Sequence, residues 1–531
     1  MSTEETITTR TENVSINTVS PDYLCGRLDI FSSIDEIDAE TVVNEVTSAI
    51  SFHNTNLISE EYLYWYRRGL QPILNRTKDR NTYVLTKCIE NHAQEIVQFK
   101  NGYFLQESAT YCSRKNGVQS KIDKLNEFVY RSGKYEADNE IADWFHTVGK
   151  GVLYVEETED KDIPFRCYSL DPRSAFVVYS MRPSKKPMYA VNIVNQGKKT
   201  KVDVYTDEYI FRLAGGGVGL ETTAFPERMT TPYELIGVEK NRLGHIPIIE
   251  YRYDSVNMSA FESVISLLDC INQVQSGRID GVEQFIQSVI VAVNCQFEDG
   301  VTADSIKKQG MIVLSSIGEN KASFDILSEE LNQDQTQTLV DNLYDQVLRI
   351  CCMPSTTKGG RSTSDTQGAV LFRDGWEQAA SAARNTEDLW RHSDLYFREI
   401  VLDILDRRNL LKKLSPVDFD LNFVRNETAN VQSKAQAFQT LLAAGLHPEL
   451  AAKKSGVSND PVADIKMSEP YMKMIWGDPT AVDKAEEQGN GMGEVAAFDE
   501  NKNETLTEEN GNGDTNRQGK TYIRGYWQKR E

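Results

Sequence analysis

Apolar and polar positions recur with two different periods along the chain, and the period changes near residue 150 and again near residue 260. Between residues 37 and 149, apolar residues such as Val42, Val46 and Ile50 follow helical spacing, which predicts amphipathic helices. Between residues 150 and 253, short β-branched and aromatic runs such as VLYVEET and MYAVNIVN stand between turn residues. This pattern predicts a meandering, mostly antiparallel sheet, and the two regions together predict an α+β fold class.

Start and stop signals divide the helical region into separate helices. Ser59 followed by two glutamates is typical of a helix start, and Gly69 with Pro72 is typical of an end. We therefore expect helices over residues 37–53, 59–69, 84–97, 121–130 and 137–149.

Residues 260–367 combine long helices with a polar loop. The apolar spacing predicts one helix over residues 261–290, about 45 Å long at 1.5 Å per residue, a strand-rich insert, and a second helix from Asp334 to Pro354. The first helix carries Asp269, Arg278 and Asp280 among its polar residues, which is too many polar faces for a helix buried all round. The loop STTKGGRSTSDTQ that follows has no apolar residue and cannot pack into a core.

The rest of the chain predicts a third long helix and a polar tail. We expect a helix over residues 369–411, kinked at Gly375, then a half-buried strand over 417–426 and a helix over 427–444. Residues 483–516 hold ten acidic and two basic residues, so we expect disorder there. The last fifteen residues are instead basic and aromatic.

The charge balance restricts how this chain can contact DNA. The 531 residues include 79 acidic and 58 basic side chains, a net charge of −21. A protein that grips DNA by neutralising phosphates is expected to be basic, so any DNA contact here should be local. The polar start has no apolar signal region, no apolar run is long enough for a bilayer, and the eight cysteines include no C-x-x-C pair. We expect a soluble protein made in a reducing cytoplasm, with no membrane contact.

Catalytic signatures are missing from the sequence. It contains no Walker A, G-x-S-x-G or H-E-x-x-H motif, and its six histidines are scattered. Asp418 and Asp420 are better explained by strand alternation than by a metal site. We expect no catalytic residues, no metal and no cofactor. A carboxylate- and metal-dependent DNA-processing enzyme is the alternative to a protein with a purely structural role. Ring-shaped particles would favour the structural role over the enzyme.

Several stretches, taken in order, resemble one protein family. They are YLYWYRRGLQPIL, SLDPRSAFVVYS, LGHIPIIEYRY, GAVLFRDGWEQAA and LNFVRNETANVQSKAQAFQTLL, within residues 55–475. In order and spacing the chain resembles the portal, or head-to-tail connector, proteins of tailed double-stranded DNA bacteriophages. The type is the one common in long-tailed phages of Gram-positive hosts.

The resemblance implies a ring of about twelve subunits around a channel, with a wing, a stem, a clip and a crown. It implies a flexible arm (residues 1–36), wing (37–259), stem helix (260–290), clip (291–332), second stem helix (333–353), tunnel loop (354–367), wing helix and strand (368–425), crown (426–480) and disordered tail (481–531).

The implied function is structural. Double-stranded DNA would be packaged and ejected through the ring at one capsid vertex of the virion, after synthesis in the bacterial host cytoplasm. Implied partners are the terminase large subunit, a head-tail adaptor, and the major capsid and scaffolding proteins. Lys358 and Arg361 in the loop and Arg278 in the stem are the candidate DNA contacts, and Lys307 and Lys308 are the candidate partner contacts of the clip.

Overall fold

The computed structural model describes most of the chain between Leu24 and Tyr471. The described residues are 24–34, 36–78, 84–115, 117–196, 199–215, 233–286, 289–293, 295–296, 315–316, 323–327, 333–355, 375–425, 431–458, 464–465 and 467–471. They divide into two compact units, the first ending at Phe423 and the second beginning at Val424.

Helices and strands both contribute to the first unit, which is α+β as expected. Its helices are α1 (Val42–Arg67), α2 (His92–Phe104), α3 (Gln119–Arg131), α4 (Lys134–Val148), α5 (Ile265–Ile286), α6 (Gln333–Ile350) and α7 (Trp376–Arg407). Short 3-10 turns lie at Pro72–Asn75 and Glu262–Val264. The second unit contains α8 (Val431–Ala443) and α9 (Pro448–Ser455).

The strands form two larger sheets and three two-stranded ones. They are β1 (Ile30–Ser32), β2 (Thr110–Ser113), β3 (Lys150–Glu157), β4 (Phe165–Leu170), β5 (Ala175–Ser180), β6 (Pro187–Gln196), β7 (Lys199–Tyr205), β8 (Tyr209–Gly215), β9 (Glu234–Lys240), β10 (Ile248–Arg252), β11 (Val289–Val293), β12 (Cys295–Gln296), β13 (Ser315–Ser316), β14 (Ser323–Leu327) and β15 (Phe419–Asn422).

The six-stranded sheet has the order β1-β5-β6-β7-β8-β9, and the three-stranded sheet has the order β10-β3-β4. From β5 to β9 every neighbouring pair is antiparallel, so the expected meander is confirmed. The expected strand near Asp418 is also confirmed, because β15 pairs with β2.

One helix, α1, replaces the two that we expected between residues 37 and 69. Ser59 lies in its middle and is buried together with Glu60, so Ser59 does not begin a helix. Leu57, Leu63 and Tyr66 are buried on the same helix. Without glycine or proline between the two predicted segments, the apolar face continues across them.

The helix expected over residues 84–97 begins only at His92. Residues 84–90 are not helical. Their backbone N–H groups at Thr86, Cys88 and Glu90 donate to side chains of α5 and so are not available to a helix. Tertiary contacts here override the local pattern.

Part of the predicted flexible N-terminal arm is built into the fold. Ile30, Phe31 and Ser32 pair in parallel with Val178, Tyr179 and Ser180 of β5. The expectation of a flexible arm over residues 1–36 is therefore wrong for residues 24–34, and residues 1–23 lie outside the described part.

Helix α7 begins at Trp376, later than expected. Gly375 precedes its first turn with a φ of +83°, a left-handed conformation that glycine adopts at little cost. The expected kink is thus the start of the helix, and residues 369–374 lie outside the described part.

The largest core surrounds Trp390 and encloses charged side chains. Lys134 contacts the Asp138 carboxylate, and Arg398 Nε donates to Asp394 at 2.7 Å, with all four residues buried. Tyr111 also donates to Asp394 at 3.0 Å. Burial raises the pKa of Asp138 to about 6, although Lys134 opposes the rise. Each pair lies within one helix, and α4 meets α7 in this core where the Lys134 ammonium lies 5.6 Å from a ring centroid of Trp390 and 4.8 Å from that of Phe397.

Replacing Lys134 by methionine should destabilise the fold strongly, because it leaves Asp138 buried without its cation. Loss of one partner from a buried pair costs about 3–5 kcal/mol. Urea unfolding followed by tryptophan fluorescence measures the loss. The matched control is Arg131→Met, which removes an exposed pair with Glu127 and should cost no more than about 1 kcal/mol. Equal losses in the two variants would contradict this account.

Candidate functional site at the base of the helical hairpin

Helices α5 and α6 form an antiparallel hairpin. At its base the Cys351 thiol, just after α6, lies 3.6 Å from the carbonyl oxygen of Ala260, just before α5. Farther along, Arg278 of α5 donates to Gln337 Oε1 of α6 at 2.5 Å. Between the two helices the chain includes the antiparallel strand pair β11–β14.

The base of the hairpin is part of a hydrophobic core with α1 and α2. Tyr66 of α1 stacks on Phe261 with ring centroids 5.9 Å apart, and its hydroxyl donates to Asp269 Oδ1 at 2.9 Å. The other buried members of this core include Leu63, Ile96, Val97, Val264, Leu268, Ile271, Val340 and Val347. The core anchors one end of the hairpin to the rest of the first unit.

Three buried polar side chains of α5 hold the extended segment Thr86–Glu90, and we call this arrangement the polar ladder. Asn272 Oδ1 accepts from the Glu90 amide at 2.8 Å, and Ser276 Oγ accepts from the Cys88 amide at 2.9 Å. Asp280 Oδ1 accepts from the Thr86 amide at 2.7 Å. The polar face that includes Asp280 is therefore buried, with its acceptors occupied. Other faces of α5 are exposed at Gln273 and Ile279, so the expectation that the helix is not buried all round is confirmed.

The spacing of the polar ladder follows from the geometry of a helix that lies beside an extended segment. Residues four apart on a helix rise about 6 Å, and alternate residues of an extended chain are about 6.6 Å apart. Asn272, Ser276 and Asp280 are four apart, and the three amides that they bind are two apart. A shift of one helical turn would place Leu268 opposite the Glu90 amide, so a single register satisfies all three donors.

Two cationic side chains contact Asp280, the last acceptor of the polar ladder. Arg76 Nη1 donates to Asp280 Oδ2 at 2.9 Å, and the Lys78 ammonium contacts the same oxygen. Burial opposes ionisation of Asp280, but hydrogen bonds from Lys78 and Thr86 outweigh it and hold its pKa below the ordinary value. The stabilisation that this carboxylate provides is therefore present at neutral pH and is lost as the pH falls through its depressed pKa.

The N-terminal segment Gly26–Asp29, which we call the strap, fastens the other side of the hairpin base. The guanidinium of Arg27 pairs with the carboxylate of Glu262, and both side chains are fully buried. The Gly26 amide donates to the same carboxylate at 3.0 Å. Gly26 has a φ of +91°, and a Cβ there would lie 2.2 Å from the Val256 carbonyl oxygen. Only glycine fits this position.

Arg278 lies within the hairpin, as predicted, but its described contact is to the neighbouring helix. Gln337, which accepts from Arg278, donates in turn to Asp341 at 2.7 Å. Arg278 therefore links α5 to α6. Whether it lines a channel remains a prediction.

The polar loop leaves and re-enters the described structure at one place. A Cβ on Gly375 would lie 3.7 Å from both the Met353 carbonyl oxygen and the Pro354 Cα. Trp376 then packs against Phe99 and Tyr103 of α2, with ring centroids 6.2 and 6.0 Å away. The described chain on either side of residues 356–374 is thus held beside the hairpin base. Lys358 and Arg361 lie outside the described residues.

Lys307 and Lys308 also lie outside the described residues, between β12 and β13. The described strands β11 to β14 agree with the strand-rich insert that the sequence predicts.

Burial shifts the pKa of several titratable groups so that their neutral forms are favoured. It lowers the pKa of His53 to about 3 and that of His146 well below its ordinary value. It also raises the pKa of the Cys351 thiol to about 12. Within the described ranges, no three His, Cys, Asp or Glu side chains are grouped to hold a metal ion. Among the same residues, no helix has the length and apolarity needed to cross a bilayer.

Sequence reasoning missed the polar ladder and the strap. The four-residue spacing of Asn272, Ser276 and Asp280 was visible, but nothing in the sequence indicated that residues 86–90 lie against them. For Arg27 and Glu262, which are 235 residues apart, no local pattern exists.

Comparison with known proteins places the chain in a family. Residues 52–469 match the family model described as "Phage portal protein, SPP1 Gp6-like". The chain is also 21% identical over 420 residues to the portal protein of Bacillus phage SPP1, covering 76% of this chain and 78% of that protein. The family match spans most of the chain, so the protein belongs to the SPP1-like phage portal family. The suspected resemblance is confirmed, and the family's role is structural.

Removing the Asp280 carboxylate should open the polar ladder. In Asp280→Ala, the amides of Thr86, Cys88 and Glu90 should exchange hydrogen at least about tenfold faster, because a hydrogen bond to a charged group contributes about 1.5–3 kcal/mol. Hydrogen–deuterium exchange of peptides covering residues 84–91 measures this. The control is Gln273→Ala, on the exposed face of the same helix. Unchanged exchange in Asp280→Ala would show that the polar ladder does not hold the segment.

Proposed function

We propose that this protein assembles as a ring of about twelve subunits that forms the DNA channel at one capsid vertex. The observation that carries the proposal is the family match over residues 52–469, together with the helical hairpin of α5 and α6. Double-stranded DNA would enter during packaging and leave during ejection through this channel.

The hairpin supplies the wall of the proposed channel. The strap pins its base and the polar ladder holds one face of α5 as far as Asp280, whereas on other faces Ile279 and Val282 of α5 and Leu339 of α6 are 43%, 44% and 48% exposed. Exposed apolar groups of this kind are expected to be covered in an assembly. We assign α5 and α6 to the stem, residues 291–332 to the clip and residues 426–480 to the crown. Residues 37–259 and 368–425 form the proposed wing.

The loop over residues 354–367 is the proposed contact with moving DNA. Lys358 and Arg361 would give each subunit two cations at the point where its hairpin is anchored. In a chain of net charge −21, isolated cations provide brief phosphate contacts, whereas a basic wall would hold the DNA by salt-dependent affinity at every turn. Arg278 is partly exposed and is a further proposed channel-lining residue.

The proposed partners follow from the same assignment. Lys307 and Lys308 in the clip would meet the terminase large subunit during packaging and a head-tail adaptor afterwards. The ring would reside in the virion, after synthesis in the host cytoplasm and assembly with capsid and scaffolding proteins. No observation in the described residues favours the alternative, a metal-dependent DNA-processing enzyme.

Electron microscopy of the purified protein tests the assembly directly. Negatively stained particles should be annular with a central hole. A compact monomer, measured by light scattering after size exclusion, would refute the proposed function.

The loop cations should matter for DNA and not for assembly. The double variant Lys358→Ala, Arg361→Ala should form normal rings but reduce the nuclease-protected DNA per particle several-fold, because the phosphate contacts are lost. The control changes the exposed Lys412 and Lys413 to alanine and should package normally. Full packaging by the loop variant would remove the proposed role of Lys358 and Arg361.

A further inference from the structure

The six-stranded sheet is open, with β1 at one edge and β9 at the other. Within the described residues, no strand pairs with the outer side of either one. An open edge presents unpaired backbone groups and is a site where another chain can add or aggregate. The two edges therefore need an explanation in the assembled protein.

Large apolar side chains are exposed along the β1 edge. Leu28 of the strap is 72% exposed, and Met181, directly after β5, is 68% exposed. Phe31 of β1 is also exposed, with the Lys185 ammonium 5.6 Å from its ring centroid. The turn beside them contains Arg182, Lys185 and Lys186. We call this surface the strap edge.

The opposite edge of the sheet is also apolar. Ile236 and Val238 of β9 are 64% and 46% exposed, whereas Phe211, the register partner of Val238 on β8, is buried. No residue of β9 is fully buried. Two carboxylates, Glu234 and Glu239, belong to the same strand. We call this surface the β9 edge.

Rotational symmetry relates these observations to each other. A ring of more than two subunits is closed by contacts between two different surfaces of each subunit, one meeting the other on its neighbour. Opposite edges of one sheet are two such surfaces, because they face away from each other across its six strands. Both carry exposed apolar side chains. Lys185 and Lys186 of the strap edge pair within the subunit with Asp29 and Asp207, and Glu239 of the β9 edge pairs with Arg212. Such exposed pairs contribute little to stability, so the lysines of one edge can exchange partners with the carboxylates of the other.

We propose that the strap edge of each subunit contacts the β9 edge of the next, so that the occupant of both edges is a second copy of this chain. The inference rests on the proposed ring. The strap then has two roles. It pins the hairpin base through Arg27 and Glu262, and together with Phe31 of the adjoining β1 it presents Leu28 to the neighbouring subunit. Contact between neighbours would thereby be coupled mechanically to the position of the stem.

Cross-linking between engineered cysteines tests this contact. The variant carries Leu28→Cys and Ile236→Cys in a chain whose exposed and partly exposed cysteines, Cys25, Cys88, Cys112, Cys270 and Cys352, are replaced by serine together with Cys295. Treatment of assembled rings with a short bis-maleimide should produce a ladder of covalent oligomers on a denaturing gel. Each variant with only one of the two introduced cysteines should remain monomeric on the gel, and rings that mix the two variants should give dimers only.

The matched control moves one cysteine away from the β9 edge. Leu28→Cys combined with Val417→Cys uses another exposed apolar residue, 68% exposed, and should give no ladder. Rings that form normally but yield no ladder from Leu28→Cys, Ile236→Cys would overturn the edge contact and leave the proposed function intact. Absence of rings in the unmodified protein would instead refute the proposed function.

A second measurement uses the unmodified protein and so does not depend on the folding of a variant. Rings assembled from mixed light and nitrogen-15-labelled subunits are treated with a carbodiimide, which joins amines to carboxylates without a spacer. Mass spectrometry should find mixed-isotope cross-links from Lys185 or Lys186 to Glu234 or Glu239. Cross-links between subunits that reach only other segments would contradict the contact.

Discussion

The polar ladder is the constraint on which the rest of the structure depends. A helix that buries Asn272, Ser276 and Asp280 is unfavourable unless each acceptor is occupied, because an unpaired buried polar group costs about 1–3 kcal/mol. The extended segment Thr86–Glu90 supplies those donors in one register only. The position of α5 relative to α1 and α2 is therefore specific, where apolar contacts alone would tolerate sliding.

The strap reinforces this position from the other side. Arg27 and Glu262 are both fully buried, so neither charge is stable without the other. One pair thus ties the N-terminal segment to the turn before α5, and the same segment continues into the sheet as β1. The hairpin base is held by both polar contacts, and Pro354 and Gly375, on either side of residues 356–374, meet beside it.

The elements that the sequence predicted well are those specified by local pattern. The meander from β5 to β9, the two helices of the hairpin and strand β15 all follow from periodicity over a few residues. The elements that it missed depend on partners far away in the chain. Residues 84–90 have a helical apolar spacing, yet three of their backbone amides donate hydrogen bonds to side chains of α5. Ser59 has the character of a helix start, yet it is buried inside α1. The family resemblance gave each segment a role, but the residues that lock the hairpin in place emerged only from the folded structure.

The central claim is that the locked hairpin lines the axis of a ring. A cryo-electron microscopy reconstruction of the purified protein, with its symmetry determined from the images, tests this claim most directly. The account predicts a closed ring in which α5 and α6 of every subunit are the helices nearest the central hole, with the polar ladder facing away from it. A ring with the hairpin at its outer rim, or a particle without a central hole, would contradict the account.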